Sequence, residues 1–253
     1  MVNKVVIAAA GRGTRMLHLT DNKPKHLIEV NGKPFLFYVL DSLFKAGYKE
    51  TILVAGYKKE LVEDFVKDYV ATESGEPKIK FVNQYENLNP DEKYGTACPL
   101  MLKEVRDFVG NEQFLFVCGD NLYSVGDLMA MNADAGYNYV AGLEHDNPER
   151  YGVLVNEGEL LREIVEKPKE YISNLINAGM YKFTPEVFSK VDVIEKSSRG
   201  EYEITDAISL LAKEGKVKVK KIKDYWKDFG CPDDIEKLSN FLHKGGNITT
   251  TTE

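Results

Sequence analysis

The sequence predicts an α/β fold: a single domain with a mixed, mainly parallel central sheet flanked by helices and a β-rich second half. Short apolar runs alternate with amphipathic helical patterns over residues 5–120, an alternation typical of βαβ units. A glycine-rich loop directly follows the first apolar run. After residue 137 the apolar runs are joined by short connections, which predicts strands inserted on the same sheet rather than a separate domain.

The pattern predicts each element in turn. Residues 5–10 form an apolar run, begun by β-branched residues and followed by a glycine turn, which predicts a buried strand. Residues 34–47 form an apolar helix, because Pro34 suits a first turn and Gly47 suits a helix end. The remaining predicted strands are 51–55, 78–84, 114–118, 138–144, 152–155, 160–166, 175–183 and 217–223, and the remaining helices are 58–70, 96–109, 204–214 and 233–243.

Composition excludes several classes of protein. The 253 residues are 43% hydrophobic and 29% charged, as in an ordinary globular chain. The apolar runs are far shorter than the about 20 residues of a membrane-spanning helix, so no membrane contact is expected. The three cysteines and four histidines show no metal-ligand spacing, which fits a reducing, cytoplasmic setting. The net charge of −7 argues against a nucleic-acid partner.

The charge is unevenly distributed. Residues 1–33 carry six basic and two acidic side chains, although the whole chain is acidic. A local positive cluster of this kind either holds an anionic small molecule or arises by chance on the surface.

The loop Ala9-Ala10-Gly11-Arg12-Gly13-Thr14-Arg15 lies within this basic segment. Glycines after a strand let backbone N–H groups approach phosphate oxygens. A dinucleotide fingerprint needs a third glycine where Met16 stands, and a phosphate-loop NTPase needs a Gly-Lys-Ser/Thr end that is absent. These residues alone leave two interpretations open: a phosphate cradle, or a tight turn with an incidental arginine.

The motifs further along the chain favour the cradle. With the Gly-x-Gly-Thr-Arg loop they resemble, in the same order over about residues 5–236, the sugar-1-phosphate nucleotidyltransferase family. The motifs are Lys23-Pro24-Lys25, Gly32-Lys33-Pro34, Gly95-Thr96-Ala97, Gly119-Asp120-Asn121, Tyr151-Gly152-Val153, Val165-Glu166-Lys167-Pro168, Asn177-Ala178-Gly179, Glu203-Ile204-Thr205-Asp206 and Trp226-Lys227-Asp228-Phe229-Gly230.

The resemblance implies a Rossmann-like domain over residues 1–244, with a nucleotide-binding half of about 1–130, a sugar-binding half of about 131–244 and a flexible tail at 245–253. It implies a reaction in which an NTP and a sugar 1-phosphate give an NDP-sugar and pyrophosphate. Since the sugar phosphate attacks the α-phosphorus in line, positioning and charge stabilisation are expected to supply the catalysis. Relatives often form dimers or tetramers, so a homo-oligomer is expected.

Carried over residue by residue, the resemblance gives a site with four parts. The catalytic cations are Arg15 and Lys25. The nucleotide-binding residues are Ala10, Gly11, Arg12, Gly13, Thr14, Gln84, Gly95 and Thr96. The sugar-phosphate residues are Gly152, Glu166, Lys167, Asn177 and Gly179. The magnesium ligands are Asp120 and Asp228, in keeping with the preference of Mg²⁺ for one or two carboxylates plus substrate oxygens.

Two details limit what this resemblance implies. Strand alternation sends the side chains of Glu166 and Lys167 to opposite faces unless the strand bends. Gln84 can both donate and accept, which suits uracil or thymine and favours UTP or dTTP, with glucose 1-phosphate as the acceptor. The same reaction with GTP, CTP or another sugar phosphate stays open, as does a non-catalytic sensor of nucleotide or sugar.

Three residues depart from the family pattern without removing a catalytic charge: His18, His26 and Cys231. In the family, proline is commoner where His18 stands, and proline, alanine or glutamate is commoner where His26 stands. Threonine is commoner where Cys231 stands. His26 is expected to be a packed or solvated side chain rather than a pH-sensitive charge.

Overall fold

The structure is a computed structural model that describes residues 2–72, 77–86, 88, 94–132 and 136–244. The tail predicted to be flexible, 245–253, lies outside them. The strands are β1 Lys4–Ala9, β2 Glu29–Val30, β3 Lys33–Pro34, β4 Glu50–Ala55, β5 Lys78–Asn83, β6 Phe114–Cys118, β7 Asn121–Tyr123, β8 Asn138–Glu144, β9 Gly152–Glu157, β10 Leu160–Glu166, β11 Leu175–Phe183, β12 Val217–Lys221 and β13 Trp226–Asp228.

The helices alternate with these strands. They are α1 Phe35–Lys45, α2 Lys59–Thr72, α3 Cys98–Met101, α4 Lys103–Val109, α5 Val125–Met131, α6 Val187–Val191, α7 Ile204–Lys213 and α8 Asp233–His243, with short 3₁₀ segments at Thr14–Thr20, Lys25–Leu27 and Pro148–Arg150. The predicted α/β class with a mixed sheet is therefore confirmed. Within the described residues, no helix combines the length and apolar character needed to cross a membrane.

One segment that the sequence predicts as a single helix is divided into two helices in the structure. The segment 96–109 forms α3 and α4 instead of a single helix, because Leu102 between them is extended (φ −74°, ψ 132°). The break buries the Leu102 side chain in the core, where it is 5% exposed.

The chain divides into two compact units. The first comprises Asn3–Gln84, Val117–Ala130 and the segment from Asp224 onward. Its strands β5, β4 and β1 pair in parallel, in that order. Since the carboxyl ends of parallel strands meet at one edge, the loops after β1, β4 and β5 share that edge.

The second unit comprises mainly Tyr85–Phe116 and Met131–Lys223. Here β11 pairs antiparallel with β8 and β9, β8 pairs parallel with β12, and β10 pairs antiparallel with β12 and β9. Parallel pairing thus dominates the first unit, while antiparallel pairing dominates the second. An aromatic cluster fills this core, in which the rings of Phe114 and Phe188 stack with centroids 5.6 Å apart.

Candidate functional site

The glycine-rich loop begins at the carboxyl end of β1. Gly13 has a left-handed backbone (φ 68°, ψ 38°), and its carbonyl accepts a hydrogen bond from the Met16 N–H at 2.8 Å. A Cβ at this position would lie 2.9 Å from the Cβ of Lys25. Glycine therefore serves here twice: it permits the turn, and it lets the Lys25 stem pack against the loop.

Lys25 and Asp120 form a buried ion pair. Lys25 is 8% exposed, and its ammonium contacts the Oδ2 of Asp120. Asp120 follows β6 through Gly119, whose N–H donates to the Ala8 carbonyl at 2.9 Å. Burial by itself would raise the pKa of Asp120, but the charge and hydrogen bond of Lys25 outweigh it and hold that pKa below its usual value. Asp120 is therefore an ionised carboxylate at neutral pH.

Asp228 reaches the same place through a short ribbon of β7 and β13. The two strands pair antiparallel with Asp228 opposite Asn121, and the Phe229 N–H donates to the Asp120 carbonyl at 2.8 Å. Burial and the charge of Asp120 raise the pKa of Asp228 to about 6, against the opposing effects of Arg15 and Lys25. The two aspartates thus lie close enough to repel each other, and the nearby cations do not fully offset that repulsion.

This donor set fits a magnesium ion. Among the described residues there is no group of three or more histidine, cysteine, aspartate or glutamate side chains suited to hold a metal. Asp120 and Asp228 supply two carboxylates, the number that Mg²⁺ takes when substrate phosphates complete its ligands. A divalent cation would also relieve the unfavourable charge that raises the pKa of Asp228.

Arg15 rests on the backbone that follows β13. A Cβ at Gly230 would lie 2.9 Å from Nη2 of Arg15, so a side chain here would displace the guanidinium from its present position. Asp234, in the first turn of α8, accepts hydrogen bonds from the N–H groups of Gly230 and Cys231, both at 2.9 Å. The start of α8 therefore fixes the turn on which Arg15 lies.

His26 is packed in the interior rather than charged. It is 1% exposed, and burial, aided by the charge of Lys25 and opposed by Asp120, lowers its pKa to about 3. The imidazole is neutral at physiological pH, in agreement with the expectation that this residue is packed or solvated rather than a pH-sensitive charge.

Arg12 and Gln84 also belong to the first unit. The Arg12 guanidinium lies 5.3 Å from the centroid of the Tyr57 ring. A cavity of about 270 Å³ is lined by Arg12, Thr14, Leu17, Thr20, Asp21 and Tyr57. Gln84 follows β5, is 7% exposed, and donates its backbone N–H to the Ala55 carbonyl at 2.7 Å.

The predicted sugar-phosphate residues lie in the second unit, and three of them meet. A Cβ at Gly152 would stand 3.0 Å from Oε2 of Glu166 and 3.7 Å from the Cβ of Asn177. The Asn177 amide donates to the Tyr181 hydroxyl at 2.7 Å and accepts the Gly179 N–H at 3.1 Å. The absence of a side chain at Gly152 thus lets the Glu166 carboxylate lie close to this strand, beside the oriented amide of Asn177.

Lys167 follows a bend in the chain. Strand β10 ends at Glu166, and Lys167 has a φ of +45° while its N–H donates to the Tyr151 carbonyl at 3.0 Å. Strand alternation therefore stops before Lys167, and the two side chains need not lie on opposite faces.

Gly95 and Thr96 belong to the second unit, whereas the loop residues with which the sequence grouped them belong to the first. Gly95 has a φ of +70°, and a Cβ there would lie 2.6 Å from the Tyr202 carbonyl oxygen. The Thr96 hydroxyl accepts the N–H of Ile204 at 3.0 Å, at the first residue of α7. Both residues join the 94–97 loop to the start of α7.

Arg199 is a candidate that the sequence analysis missed. Its guanidinium lies 3.8 Å from Oε1 of Glu166 and 2.7 Å from Oε1 of Glu203. In the sequence, its position four residues before the Glu203-Ile204-Thr205-Asp206 motif could have indicated it as a candidate. Arg199 thus places a forked cation beside Glu166, one of the predicted sugar-phosphate residues.

Comparison with known proteins agrees with this arrangement. A family described as Nucleotidyl transferase matches residues 4–245. A Haloferax volcanii protein named UTP--glucose-1-phosphate uridylyltransferase AglF is 36% identical over 259 residues, which cover 99% of this chain and 100% of that protein. A Methanocaldococcus jannaschii protein named Bifunctional protein GlmU is 38% identical over 239 residues, covering 94% of this chain and 53% of GlmU. The chain thus spans about half of that relative's length.

Solved structures show the same fold. A Bacillus anthracis protein, described as a candidate glucose-1-phosphate thymidylyltransferase in complex with a sucrose, superimposes with a TM-score of 0.81 at 26% identity, covering 99% of this chain and 98% of that one. A UDP-glucose pyrophosphorylase complexed with UDP-glucose gives a TM-score of 0.81 at 24% identity, covering 96% of this chain and 99% of that one.

Proposed function

The chain belongs to the nucleotidyl transferase family, and we propose on this basis that it is a sugar-1-phosphate nucleotidyltransferase that uses UTP or dTTP and glucose 1-phosphate. The observation that carries the proposal is the grouping of Arg15, Lys25, Asp120 and Asp228 at one edge of the first unit. Two cations and two carboxylates at a glycine-rich loop are suited to bring phosphate anions together.

The attacking oxygen comes from the sugar phosphate. The protein's own groups therefore position the two substrates and stabilise the charge that develops during the reaction. The forked guanidinium of Arg15 binds phosphate oxygens of the nucleotide, and the ammonium of Lys25 places a point charge beside them. The backbone N–H groups of residues 11–15 hold the triphosphate. Bound by Asp120 and Asp228, Mg²⁺ would supply electrostatic stabilisation of the charge that develops at the α-phosphate.

The sugar 1-phosphate is assigned to the second unit. Glu166 accepts hydrogen bonds from ring hydroxyls, while Lys167 and Arg199 offer positive charge to the sugar's phosphate. Gly152 and Gly179 carry no side chain that would obstruct the ring, and Asn177, whose Oδ1 accepts the Gly179 N–H, has an amide suited to its hydroxyls.

UTP is the first candidate because AglF, a relative that is matched over its whole length, has a name that specifies UTP and glucose 1-phosphate. The thymidylyltransferase description of the Bacillus anthracis protein keeps dTTP as the second candidate. A non-catalytic sensor is less favoured, because a protein that only senses nucleotide or sugar need not keep all of the charged residues predicted to act in the reaction.

Pyrophosphate release, measured with Mg²⁺ and glucose 1-phosphate across UTP, dTTP, CTP, GTP and ATP, tests the proposal. We expect release with UTP or dTTP. Asp120→Asn should abolish turnover without unfolding the protein, whereas Asp192→Asn, a surface change in the second unit, should retain it. Near-normal turnover of Asp120→Asn would remove the metal assignment.

The sensor would be favoured if no pyrophosphate were released with any of the five nucleotides and a panel of sugar phosphates, while the protein still bound nucleotide. The expected dimer or tetramer stays a prediction, which light scattering after size exclusion checks independently of activity.

A further inference from the structure

Tyr57 stands immediately after β4 and contacts the glycine-rich segment at both of its ends. Its N–H donates to the Ala10 carbonyl at 3.3 Å. Its hydroxyl lies 3.0 Å from the Thr20 carbonyl oxygen and 2.8 Å from that of Asp21, close enough to donate its proton to either. One residue outside the segment thus joins its first and last residues.

The segment between these ends needs such support, because its backbone is strained. Leu17 has a φ of 55° and a ψ of −136°, a conformation that residues with a side chain rarely adopt. Its side chain is 65% exposed, so packing does not hold it in place. A strained residue of this kind persists only where neighbouring contacts impose it.

A relay of hydrogen bonds passes from Tyr57 to the strained residue. The Thr20 hydroxyl lies 3.1 Å from the Leu17 carbonyl and 3.3 Å from the Gly13 carbonyl, and can donate to either. Gly13 is in turn the residue against which the Lys25 stem packs. Tyr57 therefore supports, through Thr20, the part of the loop that positions Lys25.

The ring of Tyr57 supports the middle of the segment. It lies 5.3 Å from the guanidinium carbon of Arg12, within the range of a cation–π contact. Without this contact a long arginine side chain on a glycine loop would sample many rotamers, and a bound phosphate would have to order it.

We propose that Tyr57 is a positioning residue that holds residues 10–21 in the conformation that accepts the phosphates of the nucleoside triphosphate. The inference rests on the proposed function, since it assigns the loop to the nucleotide. Loss of the Tyr57 contacts should therefore weaken binding of the nucleotide and leave binding of the sugar phosphate unchanged. Loss of a residue that merely stabilises the core would not distinguish the two substrates.

Two variants distinguish the contribution of the Tyr57 hydroxyl from that of its ring. Tyr57→Phe removes the hydrogen bonds to the Thr20 and Asp21 carbonyls, and should raise the KM for the NTP about 3- to 10-fold with kcat and the KM for the sugar phosphate within about twofold. Tyr57→Leu also removes the contact with Arg12, and should raise the NTP KM a further ~2- to 5-fold.

Tyr48→Phe is the matched control. Tyr48 belongs to the same unit, and its buried hydroxyl donates to the Leu128 carbonyl at 2.9 Å, away from the loop. The variant loses the same kind of hydrogen bond, so it should lower stability while leaving both KM values unchanged.

A second measurement needs no turnover: hydrogen–deuterium exchange of the backbone amides of residues 11–21 in the ligand-free protein. We expect faster exchange there in Tyr57→Phe than in the wild type or in Tyr48→Phe. Unchanged exchange, or a KM that rises equally for both substrates, would overturn the inference. If the wild type uses no nucleotide, the proposed function fails, and the exchange rates alone then decide whether Tyr57 holds the loop.

Discussion

Replacing Asp228 with asparagine should make the protein more stable at neutral pH while removing its turnover. Asp228 is a largely buried carboxylate that lies beside a second, ionised one. Its pKa rises from 3.8 to about 6, because burial and the charge of Asp120 disfavour the ionised form. Above that pH the folded protein holds a charge that water would stabilise better in the unfolded chain.

The direction and the size of the change in stability with pH follow from proton linkage. The folded state takes up a proton near pH 6 and the unfolded state near pH 3.8, so stability falls as the pH rises between these values. This rise in the pKa of Asp228 corresponds to about 3 kcal/mol of stability. Since Asp228 is partly exposed, solvent screening reduces this to about 2 kcal/mol. The Asp228→Asn variant would therefore gain stability over the wild type above pH 6, and the gain would vanish below about pH 4.

Calorimetry of the wild type and Asp228→Asn at pH 4 and pH 7.5 tests this. We expect the melting temperature of the variant to be higher by about 4–8 °C at pH 7.5, and equal at pH 4. Adding Mg²⁺ should raise the melting temperature of the wild type but not that of the variant.

Asp192→Asn is the control of opposite sign. Its hydrogen bond with Arg106 lowers the pKa of Asp192, so the ionised form is the favoured one. That variant should be no more stable than the wild type. Equal melting temperatures for the wild type and Asp228→Asn at pH 7.5 would refute the reasoning that Asp228 is held as an unfavourable charge.

Three further substitutions separate structure from chemistry. Gly230→Ala should lower kcat about 10- to 100-fold with little change in melting temperature, because its Cβ would displace the flexible end of Arg15; a wild-type kcat would contradict this. Gly119→Ala should lower the free energy of unfolding in urea by about 1–3 kcal/mol, because its Cβ would stand 2.9 Å from the rigid Ala8 carbonyl; an unchanged midpoint would exclude this clash. Lys167→Ala should raise the KM for the sugar phosphate about 10- to 100-fold without affecting the nucleotide, and an equal rise for both substrates would remove its role.

Periodicity predicted the long elements because each buries one continuous apolar face. Strand β4 and helix α8 are examples, with ends within a residue of those expected. The ribbon of β7 and β13 was not predicted, since three residues are too few to show a period. Its two strands are also separated by about a hundred residues, and no local pattern reports such a pairing.

For the candidate site, the sequence predicted the position of a residue in the fold only where that residue follows a long element. Asp120 was placed correctly at the end of a strand because it follows the apolar run of β6. The left-handed bend at Lys167 could not be read from its sequence, since lysine rarely adopts a positive φ. The hydroxyl of Thr96 also engages α7, a contact that depends on a segment more than a hundred residues away.

The first unit concentrates its unfavourable features at one edge. Leu17 has a strained backbone, Lys25 is a buried ammonium and Asp228 is a carboxylate with a raised pKa. Each would be easy to remove by substitution if stability alone mattered, and neighbouring residues such as Gly13 and Tyr57 hold two of them in place. Local departures of this kind cluster where a protein must bind and react. Their coincidence at the loop after β1 is therefore an argument for an active centre there that does not depend on any motif.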